Sequence, residues 1–147
     1  MAASVIPSHS RRNAYKPSIM TRFLLVGAGG ALGAMARYGL GLAAARLAPG
    51  SAWPIGTFTA NVGGGLLMGL LVGWLAFRGG LHQDAMRAFA AVGVLGGFTT
   101  FSSYSLEAVL MIERRQYGLA AAYVIASVVL AIAALFAGLA IARRAFA

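Results

Sequence analysis

Cysteine is absent from this 147-residue chain, which excludes disulfides, thiolate nucleophiles and thiolate metal sites. Acidic residues are nearly as scarce, with Asp84, Glu107 and Glu113 the only three. Charged residues of both signs make up 10% of the chain, against roughly 25% in a soluble domain. The two histidines, His9 and His82, lie outside the apolar runs without a second ligand nearby, so neither suggests a metal or catalytic centre. What abounds is apolar surface, at 60% of residues. A chain of one domain's length cannot clothe a soluble surface with so few charges, so the surplus must face lipid. The net charge of +9 is spread singly and in pairs between the apolar runs. It forms no basic stripe with interleaved aromatics, which argues against nucleic acid and matches the flanks of membrane spans.

A helix crosses a hydrocarbon core of ~30 Å with about 20 residues. Four segments qualify: residues 23–42, whose only charge is Arg37, then 57–77, 88–106 and 118–142, which carry none. Short polar breaks at 48–51, 78–80 and 113–116 separate them and leave no room for a soluble domain. No internal repeat is evident, so an inverted-repeat transporter within one chain is not expected. The reading is an all-α membrane protein of four transmembrane helices, spanning residues 20–147 behind a disordered, basic tail at 1–19. The tail holds Arg11, Arg12 and Lys16. Ser10-Arg11-Arg12 is a weak likeness to a twin-arginine signal, and Met20 is an alternative start.

With four spans, the tail, the second loop and the C-terminus share a side. That side carries Arg11, Arg12, Lys16, Arg22, Arg78, Arg87, Arg143 and Arg144, against Arg46, Arg114 and Arg115 opposite. With the tail counted, both termini belong in the cytoplasm. Without its three charges the ratio is five to three, a bias weak enough for insertion both ways round.

Polar residues inside spans are costly and mark function by default. Arg37 is the clearest, at roughly 2.5–3.5 kcal/mol for a span centre; the plainer reading is a snorkelling side chain. Asn61 sits early in the second span beside Thr57 and Thr59, where it offers two N–H donors or simply bonds a neighbouring helix. Gly29 and Gly33, and Gly65, Gly69 and Gly73, recur at four-residue spacing and read as packing seams.

The third span is a poor membrane helix. Gly96 and Gly97 are followed by five Ser and Thr in the seven residues 99–105, a composition that weakens continuous helix. A broken third helix is expected, with freed carbonyl oxygens suited to Na⁺ or K⁺. Phe101 and Tyr104 are neighbours on one helix face, with Thr100, Ser103 and then Glu107 on an adjoining one.

Three blocks taken in order resemble the Fluc fluoride channels, also called the CrcB family: residues 29–34 with Arg37-Tyr38, residues 53–61, and residues 96–107. The likeness covers 23–143. It implies an antiparallel, dual-topology homodimer in a bacterial inner membrane, with fluoride routes along the subunit interface and a structural Na⁺ on the two-fold axis. A heterodimer with a sister chain stays open. By motif position the carbonyls of Gly96 and Thr99 would hold the Na⁺. Asn61 would face the pore, Phe101 would offer its ring edge, and Tyr123 and Ser127 would continue the polar track. Tyr104 stands where the family commonly has a second Phe.

Fluoride is small and strongly hydrated, so a selective route replaces its water with close donors. Amide and hydroxyl groups, aromatic edges and a nearby Arg37 all suit that task. Thr57, Thr100, Ser103 and Glu107 complete the candidate route. Two other readings are a dual-topology proton-coupled drug or cation antiporter, which needs a carboxylate within a span, and a non-transporting accessory protein held by the glycine seams.

Overall fold

A computed structural model describes residues 17–78, 80 and 82–146. The tail expected to be disordered lies outside the described residues up to position 16. From there on the chain is helical, in four helices long and apolar enough to cross a membrane.

The first, α1 (Ile19–Leu47), starts where the Ser18 hydroxyl accepts the Thr21 backbone N–H at 3.2 Å. That contact supplies an acceptor for one of the donors orphaned at a helix start. The chain turns through Gly50, whose φ of 76° is the left-handed region that glycine enters freely. It then enters α2 (Ile55–Arg78) just after Pro54.

The third span is a composite. A single turn, α3 (Gln83–Met86), leads into a π-helical stretch, Arg87–Leu95, and then a short α4 (Gly96–Phe98). Thr99 and Thr100 have extended backbone, with ψ of 155° and 126°. Helix resumes as α5 (Phe101–Glu113), capped by the Thr100 hydroxyl on the Ser103 N–H at 3.2 Å. Arg115, at φ 60°, turns the chain into α6 (Tyr117–Phe146).

Each helix outruns the window the sequence marked for it, because those windows were drawn over the apolar stretches and stop short of the polar and charged flanks. Helices continue into the interfacial zone, where arginines keep their heads in water. There the Arg22 guanidinium lies 3.5 Å from the Asp84 carboxylate. The start of α1 and the start of the third span are thereby on one side of the bundle.

Packing follows the glycines. Two apolar helices in lipid gain mainly from close van der Waals approach, and small residues permit it. A Cβ at Gly69 would overlap the Leu135 carbonyl of α6 and lie 2.9 Å from the Leu139 nitrogen. Gly65 abuts Ala131, Gly73 abuts Ala142, and Gly138 of α6 answers against Leu66. Across the bundle, Gly29 and Gly33 of α1 meet the backbone around Phe89, Gly93 and Val94. The result is two tight pairs, α2 with α6 and α1 with the front half of the third span. The buried side chains Tyr104, Ala108, Met111, Ala120 and Tyr123 form a small core between α5 and α6. Large apolar side chains such as Leu24, Ile125, Ile132 and Phe136 point outward.

Candidate functional site

The extended residues Thr99 and Thr100 leave backbone groups that a continuous helix would have paired, and Asn61 answers for them. Its Nδ2 donates to the Thr100 carbonyl at 3.1 Å, and its Oδ1 accepts the Thr100 N–H at 2.8 Å. One amide thus grips both backbone groups of one residue, from a helix 39 positions away in sequence. One further Asn61 N–H remains to be given elsewhere, since the amide carries two. The Thr100 N–H would have gone to the Gly96 carbonyl had the helix continued. The Gly96 oxygen is therefore relieved of that partner.

Asn61, Gly96, Thr99, Thr100, Phe101, Tyr104 and Ser127, with Val128 and Ala131, line an open cavity of about 420 Å³. Phe101 is 78% exposed, so its ring stands at the outer edge of this cavity rather than in the core. Ser127 is buried, and among the described residues its hydroxyl has no partner at hydrogen-bonding distance. Tyr104 contributes its ring: its hydroxyl donates, at a long 3.5 Å, to the Val124 carbonyl of α6. The O–H that the sequence offered as an anion donor is thus directed at backbone instead.

Five other candidates lie elsewhere. Thr57 and Glu107 line a separate hollow of about 290 Å³, walled by Gly41, Ala44, Trp53 and Pro54 at the loop between α1 and α2. There the Thr57 hydroxyl donates to Glu107 Oε1 at 2.7 Å, and the Tyr123 hydroxyl donates to Oε2 at 2.7 Å. Both oxygens of the carboxylate are engaged. Glu107 does not continue the Thr100–Ser103 row as a hydrogen-bonded track. Those two hydroxyls bond each other at 3.2 Å, while Ser102 lies 3.3 Å from the Thr100 hydroxyl. Arg37 borders neither space; its Nε donates to the Gly97 carbonyl at 3.4 Å, which ties α1 to α4. A guanidinium on that oxygen is a positive charge one residue from the Gly96 carbonyl.

The rings run as a row. Phe101 to Tyr104 is 5.5 Å between centroids, Tyr104 to Tyr123 is 5.4 Å, and Tyr123 to Trp53 is 5.5 Å. Tyr123 thereby stands between the two spaces, fully buried. The sequence reading used Trp53 only as the start of the 53–61 block and gave it no part in the site. Its position in a loop gave no periodic signal, and its partner lies 70 residues on. The Glu107 grip was equally hidden, since Thr57 is 50 positions and Tyr123 16 positions away.

Three comparisons of sequence bear on this arrangement. The pattern defining the CrcB-like proteins, described as camphor resistance (CrcB), matches residues 24–139. A protein of Phenylobacterium zucineum (strain HLK1) called fluoride-specific ion channel FluC is 65% identical over 129 residues, which is 87% of this chain and 100% of that relative. A protein of the same name from Caulobacter sp. (strain K31) is 61% identical over 127 residues, or 86% of this chain and 98% of the relative.

Proposed function

Because the chain belongs to the CrcB-like family, we propose that it is a fluoride-selective channel that lets the anion leave the cytoplasm passively. The observation that carries this reading is the cavity at the extended Thr99–Thr100 link, lined by amide, hydroxyl and aromatic side chains. No covalent chemistry is involved, and the family is one of channels rather than enzymes.

The route needs donors that are fixed before the ion arrives, because a flexible donor would relax around any halide. Asn61 is fixed by its two bonds to Thr100, which aims its remaining N–H. Ser127 brings an unspent hydroxyl from α6. Phe101 presents a ring whose edge carries positive quadrupole potential and so tolerates an anion. Tyr104 backs that ring and holds it in place from 5.5 Å. On the far side of Tyr123, Thr57 and Glu107 border the second hollow, which serves as the other end of the route. Fluoride loses less on leaving water where such donors are preset, and larger anions gain less from them.

The assembly proposed is an antiparallel homodimer in the inner membrane of a bacterium. The exposed Phe101, Gly96 and outward apolar faces of α5 and α6 support it, since each is left uncovered by the single chain. A Na⁺ at the centre fits the donor set. Gly96 has lost its helical partner and Thr99 is extended, so both can turn carbonyl oxygens to a hard cation. Such an ion would supply a fixed positive charge and bind the two chains across the axis. Asn61 serves this site too, by holding Thr100 N–H away from Gly96. Arg37, on the adjoining Gly97 carbonyl, adds to the positive potential.

Fluoride efflux from liposomes holding the purified protein, read by a fluoride electrode beside a chloride control, tests the reading. Rapid release of fluoride without chloride is the expected result. Release of both, or of neither from well-folded dimers, would refute it.

A further inference from the structure

The loop between α1 and α2 is built more firmly than a simple connection requires. Ser51 Oγ donates to the Trp53 carbonyl at 3.1 Å and accepts the Trp53 N–H at 3.2 Å. The Ile55 N–H reaches the same carbonyl at 2.8 Å. Three contacts thus fix the backbone of one residue in a loop whose hydroxyl and amide groups could otherwise turn to water.

What that fixed residue carries is an indole wedged between two helices. Its ring stands at 74° and 5.4 Å to Phe58 of α2, and at 90° and 5.5 Å to Tyr123 of α6. Edge-to-face contacts of this kind favour one ring orientation over others. The orientation matters at Tyr123, because its hydroxyl is one of the two donors that hold Glu107.

We propose that Trp53 is a positioning residue for ion flow: it orients Tyr123 so that the Glu107 carboxylate stays pinned between Tyr123 and Thr57 at the wall of the hollow it borders. The inference rests on the channel reading above. With both oxygens satisfied by O–H donors, the negative charge of Glu107 is met by fixed dipoles. Freed from Tyr123, the carboxylate can swing into the hollow of about 290 Å³ and face an anion of its own sign. The repulsion of like charges at such range, in a poorly screened space, slows passage. The Ser51 clasp sets Trp53, Trp53 sets Tyr123, and Tyr123 sets Glu107.

The test is a two-by-two set of fluoride efflux rates with Trp53→Leu and Glu107→Gln, singly and together, in the full chain reconstituted as dimers. Trp53→Leu keeps an apolar side chain and removes the ring. It is expected to slow efflux about tenfold where Glu107 is present, a coupling of the size seen between residues in contact. In the Glu107→Gln background the same substitution is expected to change the rate less than about twofold, because no charge is left to release. An equal slowing in both backgrounds would mean that Trp53 only packs, and would overturn the inference. So would an unslowed Trp53→Leu channel. Should Trp53→Leu fail to fold, Trp53→Phe retains a ring of shorter reach, and its smaller slowing is expected to vanish in the same background. A parent protein that releases no fluoride would instead refute the channel reading itself, and with it this one.

Discussion

Asn61 shows how one side chain can serve the fold and the site together. Its two bonds to Thr100 satisfy backbone groups that would otherwise be stranded at membrane depth, where each costs several kcal/mol. Asn61→Asp keeps an acceptor for the Thr100 N–H but sets a carboxylate oxygen against the Thr100 carbonyl. It also puts a negative charge at the cavity. We expect fluoride efflux to fall by at least about tenfold, with the larger part of the loss electrostatic; normal conduction would reduce Asn61 to a packing residue. Phe101 makes a cleaner case, because it is 78% exposed in the single chain and supports little of its core. Phe101→Ile is expected to slow efflux several-fold, by roughly the worth of an aromatic contact, while the protein elutes at the same volume as the parent. Equal rates would remove the ring edge from the route.

Among the elements, the decisive contacts are those where no side chain stands between two backbones. Gly69 and Gly138 bring α2 and α6 together so closely that a Cβ on either would collide with the other helix. Gly69→Val should cost about 1–3 kcal/mol by overpacking, seen as a thermal midpoint lowered by several degrees in detergent. Gly118→Ala, at a position with nothing within 4 Å, is expected to leave that midpoint unchanged or slightly raised. The seam has a functional consequence. Asn61 lies on α2 and Ser127 on α6, so the spacing of these helices sets the width of the cavity both residues line. The π-helical stretch Arg87–Leu95 has a comparable place in the third span, packed against Gly29 and Gly33 just ahead of the extended link.

For the whole molecule, the arginines that flank the described spans set a weak orientation: Arg22, Arg78, Arg87, Arg143 and Arg144 on one side, Arg46, Arg114 and Arg115 on the other. If function requires oppositely inserted copies, forcing one orientation should silence the channel. Adding two lysines after Arg144, at the C-terminus, changes little of the fold but widens the balance from five against three to seven against three. Efflux is expected to fall with the loss of mixed orientation, as read by accessibility of a tagged C-terminus. It should return when a chain of opposite bias is co-expressed. Undiminished efflux from uniformly oriented protein would exclude the antiparallel dimer. The Na⁺ makes a separate claim. Dimers prepared and assayed with a bulky organic cation in place of Na⁺ should release fluoride more slowly, with recovery on adding Na⁺ back; indifference to Na⁺ would leave Gly96 and Thr99 without that role.

Much of this was legible in the residues themselves. Four apolar windows gave four spanning helices, since the length of a span is set by the thickness of the hydrocarbon and needs no partner to define it. Glycines at four-residue spacing foretold close seams, because a helix repeats that interval along one face. The Gly96-Gly97 pair with its run of Ser and Thr marked where regular helix is hard to sustain; Thr99 and Thr100 have extended backbone. What the tertiary structure alone decided is the partnering of the polar side chains. The sequence offered Asn61, Tyr104 and Glu107 as groups facing a route. Only the fold spends the Asn61 amide on Thr100, turns the Tyr104 hydroxyl to Val124, and divides Glu107 between Thr57 and Tyr123. Local composition fixes which segments enter the membrane, whereas a hydrogen bond between helices depends on rotations and offsets of whole spans, which no local pattern encodes.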